Sequence, residues 1–232
     1  METKFDLRRQ CGRLRHDALA TYSRGLPMLS LWGRPESTCV AKVAWTLSEL
    51  GLSYHSIEVG GPHGGTRDPR YLRMNPTGLI PTLEHDGFFI WQSNAILRYI
   101  CNSFNGRRFY PENPHKRALV DQWMDYSAIE LQNSIGLFRT LVRRDNIGES
   151  VDVALRFANE RVSVLSSTLA RSDYLAGDDF TLADLSTGPL IHRWNLMIGR
   201  NAPGNLAEVT AWYDRLLQRP AFHQKVVEKV SV

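Results

Sequence analysis

Cysteine is scarce in this chain. Cys11, Cys39 and Cys101 are the three among 232 residues, too few and too scattered for a disulfide framework, a paired redox motif or a zinc site. The histidines form no ligand cluster, so no metal is expected. Long apolar runs are missing too: nothing approaches the ~18 residues of a membrane span, and no membrane association is expected. Met1–Pro27 is rich in arginine but has no apolar stretch and carries Glu2, Asp6 and Asp17, so it reads neither as a secretory signal nor as a transit peptide. We expect residues 1–27 to form a poorly ordered upstream extension and the protein to reside in the cytoplasm.

Excess basic charge is also missing where it would matter. The formal net charge is +4, but residues 1–27 hold six basic and three acidic residues, a net of +3, leaving +1 for the rest. Without a basic patch in the globular part, nucleic-acid binding loses its main support. The glycine-rich run Gly60-Gly61-Pro62-His63-Gly64-Gly65 lacks the Lys-Ser/Thr ending of a nucleotide loop and reads instead as an irregular flap beside a site. With 43% hydrophobic and 22% charged residues, the chain can bury a sizeable core in one or two domains.

What is present centres on Asn75-Pro76-Thr77-Gly78-Leu79-Ile80-Pro81-Thr82-Leu83, a proline-bearing turn that feeds a strand. Pro81 has no N–H for a ladder, and the backbone groups of Ile80 just before it are free to pair with an extended peptide laid alongside. Asp86-Gly87 between strand formers predicts a tight hairpin. Gln92-Ser93-Asn94 then precedes apolar residues at helical spacing, with Ser93 and Asn94 expected as caps. Upstream, Leu29–Trp32 reads as a strand. Val40, Val43, Ala44, Leu47 and Leu50 give one apolar helical face that stops at Gly51, and Tyr54–Val59 reads as a second strand, parallel to the first. Residues 105–115 are a polar joint. Beyond it the strand signals vanish and helical spacing takes over, as in Val151, Leu155, Ala158, Val162, Leu165 and Leu169. Thr181 and Asp184 fit a capping box, with Phe180 and Leu185 as its staple, and Pro189 is expected to bend the helix that follows.

"NPTGLIPTL" and "WQSNAILRYI", together with the "FTLAD" box, resemble the cytosolic glutathione S-transferases, in particular serine-type, theta- or beta-like bacterial members, over about residues 28–225. The resemblance implies an α+β fold: a thioredoxin-like glutathione-binding domain over residues 28–104, a linker over 105–115 and an all-α helical bundle domain over 116–232. It implies a transferase that conjugates the glutathione thiolate to a hydrophobic electrophilic small molecule, with glutathione as cosubstrate, and a homodimer. Other readings on the same scaffold are a glutathione-dependent peroxidase or disulfide reductase, and a non-catalytic binding or regulatory protein.

A free thiol with pKa near 8.5 is only slightly ionised at neutral pH. Ser37, placed before the first helix, is the candidate donor to the thiolate by the family's spacing from Val43, while a plain N-cap is the alternative role. Thr38 remains open as the donor, and Cys39 as either a packed side chain or a thiol forming a mixed disulfide. By the same resemblance, the Ile80–Pro81 bond is cis, the Ile80 backbone holds the cysteinyl part of glutathione, and Gln92 and Ser93 hold the γ-glutamyl carboxylate at a helix N-terminus. The glycyl carboxylate needs a cation, and where relatives carry His or Lys this chain has Gly78; Lys42, His63 and Arg70 are candidates. Phe138 and Arg139 are candidates for the electrophile's side of the site.

Overall fold

A computed structural model describes residues 28–144, 148–199 and 206–232; the expected extension over residues 1–27 lies outside them. The first half is a sheet with helices. Strands β1 (Leu29–Trp32) and β2 (His55–Ile57) are joined through helix α1 (Thr38–Glu49) and run parallel, and β3 (Thr82–His85) and β4 (Phe88–Trp91) form an antiparallel hairpin. The sheet order is β2-β1-β3-β4, with β1 antiparallel to β3 in a register that pairs Trp32 with Thr82. Asp86 and Gly87 make the hairpin turn with φ of 49° and 86°, the left-handed pair a tight hairpin requires. Between β2 and β3 lies a short helix, α2 (Pro69–Met74), which the apolar pattern did not announce. Asp68 caps it by accepting from the Arg70 N–H at 2.7 Å, and Pro69 opens it. The glycine-rich flap contains one 3-10 turn over Gly61–His63, more regular than its composition suggested.

Helix α3 (Ser93–Ser103) follows β4, and beyond it the elements among the described residues are helical: α4 (Pro114–Tyr126), a π-helical turn (Ser127–Leu131), α5 (Gln132–Arg143), α6 (Glu149–Leu169), α7 (Leu182–Ile198), α8 (Ala207–Leu217), the short α9 (Pro220–Phe222) and a second π-helical turn (His223–Val227). Asn113 caps α4 with its Oδ1, which accepts from the N–H groups of His115 and Lys116. No helix among the described residues is long and apolar enough to cross a membrane.

Helix α1 is buried on more sides than one apolar face requires. Val40, Val43 and Leu47 are core residues alongside Leu29, Leu31 and Leu83 of the sheet, while Trp45 reaches Phe222 at 4.6 Å and Phe180 at 5.6 Å between ring centroids. The two halves therefore share one core through α1. Phe180 sits in this aromatic cluster, with Phe109 and Tyr174 also within 5.7 Å. Thr181 Oγ1 accepts from the Ala183 N–H at 3.3 Å, and Asp184 accepts from the Thr181 N–H at 2.9 Å, from Leu175 N–H at 3.1 Å and from Trp212 Nε1 at 2.9 Å. Burial outweighs these three donors and the Thr181 hydroxyl, 3.4 Å away, and pushes the Asp184 carboxyl up to about 6. Helix α7 continues through Pro189 to Ile198.

Candidate functional site

The loop from β1 to α1 is fastened at both ends. Gly33 N–H donates to Ile57 O at 2.9 Å, Ser37 N–H donates to Arg34 O at 3.2 Å, and Ser37 O accepts the first helical bond from Ala41 N–H at 2.8 Å. Ser37 is thus the N-cap residue of α1 by backbone position, with φ −77° and ψ 126°, yet its side chain makes no capping bond. The two candidate donors and the neighbouring Cys39 thiol differ sharply in what surrounds them. Ser37 is half-buried and its hydroxyl has no partner among the described residues. Thr38 is only 2% exposed, and its Oγ1 accepts from Arg193 Nη1 at 3.4 Å. The Cys39 thiol points at Gln132 Oε1, 3.7 Å away on α5. Arg193 also donates to the carbonyls of Glu36 and Ser231, so a residue of α7 braces the loop that carries Ser37. Burial and the neighbouring Arg139 push this guanidinium down to about 10, which leaves it charged at neutral pH.

A second group of backbone atoms lies beside that loop. Asn75 ties the proline-bearing turn together: its Oδ1 accepts from Thr77 N–H and Oγ1 at 3.1 and 2.6 Å, and its Nδ2 donates to Leu79 O and Thr82 Oγ1 at 2.8 and 3.0 Å. Tyr71 Oη donates to Leu79 O at 2.6 Å. Leu79 is therefore fully engaged, while the N–H and C=O of Ile80 have no partner among the described residues. The Ile80–Pro81 bond is cis. The Ile80 side chain packs against the backbone of both flanking loops: a Cβ built on Gly33 would stand 3.4 Å from it, and one on Gly60 3.3 Å. Ile80 thus lies against Gly33, at the start of the loop that leads to Ser37.

Gln92 precedes α3 with φ 70°, unusual for a residue with a side chain, and supplies no side-chain cap. Ser93 is the first helical residue rather than a cap as expected, and it is buried. The first N–H groups of α3 are accordingly uncapped, the arrangement that suits a carboxylate.

The cation candidates fare less well. Lys42 is 1% exposed, and its burial lowers the ammonium pKa. His63 lies 3.3 Å from the Glu58 carboxylate, and Arg70 is exposed on α2. The structure brings Arg67 forward instead: a Cβ on Gly78, which has φ 63°, would stand 3.0 Å from Arg67 Nη1. Sequence reasoning missed it because Arg67 is eleven positions from Gly78, although the vacancy at Gly78 was itself the signal. On the side of the helical half, Phe138 is 4% exposed and belongs to the core. Arg139 is half-buried, with an Nε that is buried and unpartnered among the described residues. Among those residues no group of His, Cys, Asp or Glu could hold a metal.

Comparison with known proteins places the chain in a family. The glutathione S-transferase N-terminal domain matches residues 27–102 and its C-terminal domain residues 134–220. The chain belongs to the glutathione S-transferase family, and it is a glutathione transferase. Glutathione S-transferase GstB of Escherichia coli (strain K12) is 34% identical over 211 residues, which cover 88% of this chain and 100% of the relative. Glutathione S-transferase 3 of Zea mays is 32% identical over 209 residues, covering 85% and 93%. Among solved structures, the theta class enzyme of Xanthomonas axonopodis pv. citri with glutathione bound superposes with a TM-score of 0.80 at 34% identity, covering 89% of this chain and 100% of that one.

Proposed function

We propose that Ser37 activates glutathione in this enzyme by donating a hydrogen bond to the thiolate, and that the thiolate attacks the carbon of a hydrophobic electrophile. The observation that carries this is the hydroxyl of Ser37, half-buried and without a partner among the described residues at the N-terminus of α1, where Thr38 is buried and already bonded. Lowering a thiol pKa by two units takes roughly 2.7 kcal/mol of preferential thiolate stabilisation. A charge-assisted hydrogen bond together with the positive end of a helix is sufficient for that.

The rest of the site holds the peptide. Ile80, kept in place by Pro81, offers its N–H and C=O to the cysteinyl unit of glutathione. Gln92, Ser93 and the first turn of α3 take the γ-glutamyl carboxylate, and Arg67 beside Gly78 takes the glycyl carboxylate. Ser37 is not consumed, and no His/Asp pair accompanies it as in serine nucleophiles. The glutathione-binding domain occupies residues 28–104, the linker 105–115 and the helical domain 116–232. In this reading the enzyme works in the cytoplasm, as a homodimer. Turnover of an aryl halide and of a peroxide, each with and without glutathione, tests the reading. Conjugate formation from the halide is expected; peroxide reduction without any conjugation would replace it with the peroxidase alternative.

A further inference from the structure

Three guanidinium groups gather beside the loop that carries Ser37, and among the described residues no carboxylate pairs with them. Arg34 comes from the same loop as Ser37, and its side chain lies along Gly61 of the flap, where a Cβ would come within 2.9 Å of Arg34 Nε. Arg139 and Arg143 come from α5, one helical turn apart. Neither they nor Arg34 make an ion pair or a side-chain hydrogen bond among the described residues, and Arg139 Nε is buried without a partner. The carboxylate carried by the same loop, Glu36, pairs with none of them, and Glu58 faces His63.

The geometry of α5 explains why these groups meet. Gln132, Gly136, Arg139 and Arg143 follow one another at intervals of four, three and four residues, which places them along one face of the helix. Gln132 fixes the direction of that face, since its Oε1 is the atom reached by the Cys39 thiol next to Ser37. Gly136 leaves the middle of the face empty: a Cβ there would meet nothing within 4 Å. The groups also feel each other. Burial, then Arg143, then Arg34 hold the Arg139 guanidinium below its usual range. Like charges gathered without a counter-charge are unfavourable, and an anionic ligand turns that cost into attraction.

We infer that the second substrate of this enzyme is an electrophile bearing a carboxylate, held by Arg34, Arg139 and Arg143 over the gap at Gly136 with its reactive carbon toward Ser37. This deepens the transferase reading and rests on it. For a chloroaryl carboxylate the step balances simply: the glutathione sulfur forms a bond to the ring carbon, the carbon–chlorine bond breaks, chloride leaves with the electron pair, and the thiol proton passes to solvent. The bound arginines neutralise the carboxylate and take no part in bond exchange.

A matched pair of probes tests it: a chlorodinitrobenzoate, its methyl ester, and the corresponding chlorine-free dinitrobenzoate for binding alone. The carboxylate should exceed the ester in kcat/KM by about tenfold or more, and Arg139→Gln and Arg143→Gln should each lower that ratio about tenfold, in line with a lost charge-assisted hydrogen bond. Added salt should lower it further, while Arg143→Lys should retain part of the preference. Calorimetry on the glutathione-loaded protein should show the same order for the dinitrobenzoate and its ester. Equal turnover of acid and ester, or a ratio unmoved by the substitutions while KM for glutathione rises, would overturn the inference and assign the arginines to glutathione. Arginine-dependent binding of the dinitrobenzoate without any conjugation would keep the anion site and remove the transferase reading.

Discussion

Ser37 differs from Thr38 by one position and by what its hydroxyl already does, and that difference sets the first prediction. Ser37→Ala removes a hydrogen bond to the thiolate but leaves the Ile80 edge and the α3 N-terminus in place, so glutathione should still bind. The thiol pKa in the complex should move back toward its free value, with activity at neutral pH falling on the order of 10- to 100-fold and partly recovering at higher pH. Ultraviolet titration of the glutathione-loaded wild type and variant reads this directly; equal pKa values would remove Ser37 from the mechanism. Arg67→Ala should act differently, raising KM for glutathione about tenfold with kcat little changed, because the glycyl carboxylate is remote from the reacting sulfur. Steady-state kinetics with varied glutathione separates the two outcomes. His192 is a residue of the core rather than the site. Its Nδ1 lies 2.6 Å from the Tyr213 hydroxyl, its Nε2 is buried without a partner, and burial and Arg193 push its pKa down to about 4. The unfolded chain, with an ordinary histidine near 6.5, binds more protons between these values, so the stability His192 contributes is lost as pH falls through about 6.5 to about 4. Asp184, raised to about 6, acts in the opposite sense: the folded chain binds the extra proton, and its contribution falls as pH rises from about 4 to about 6. The two partly cancel in wild type. Comparison with His192→Asn isolates the histidine: the stability gap between the two proteins should shrink by about 2 kcal/mol, about 5 °C in melting temperature, between pH 7 and pH 4. A constant gap would show that His192 does not titrate as described.

Helix α1 ends on an ion pair that ties the sheet half to the last helices. Glu49 accepts from Arg219 Nε and Nη2 at 2.9 and 2.7 Å and from Trp45 Nε1 at 2.9 Å, while its carbonyl accepts from Arg108 at 2.6 Å. The Glu49 side chain is 10% exposed, so losing its charge leaves Arg219 poorly solvated. Glu49→Gln should cost about 2 kcal/mol and lower the melting temperature by about 5 °C; an unchanged melting curve would mean that solvent replaces the pair. None of this was visible in sequence, where Glu49 and Arg219 are 170 positions apart. Elements with local punctuation were visible. The Asp86-Gly87 hairpin and the Thr181–Asp184 box follow from neighbours within a few residues, and the parallel pairing of β1 with β2 from the length of the strand–helix–strand unit. Helix α2 was missed because its six residues are too short for an apolar period, though Asp68-Pro69 marks its start. Phe180, expected as the staple of the box, also joins an aromatic cluster with Trp45, a long-range contact that no local pattern encodes. At the proposed site, Ile80, Gln92 and Ser93 could be put forward from sequence because they belong to contiguous motifs. Arg67 and the convergence of Arg34 with α5 could not, since they depend on how distant segments pack.

At the scale of the molecule, assembly is the open property with a direct measurement. The chain has a mass of 26.4 kDa, and light scattering should return about twice that value in dilute solution; a single-chain mass would withdraw the homodimer. The shared core also bears on how such enzymes can be rebuilt. Arg193 belongs to the helical half, yet it donates to the Glu36 carbonyl and to Thr38 on either side of Ser37. A chimera that joined residues 28–104 to the helical half of a relative lacking an arginine at this place would keep every residue assigned to glutathione and still lose the brace on the activating hydroxyl. The two halves are therefore interchangeable only as matched parts, and a graft can fail through a side chain that lies outside the residues assigned to the tripeptide.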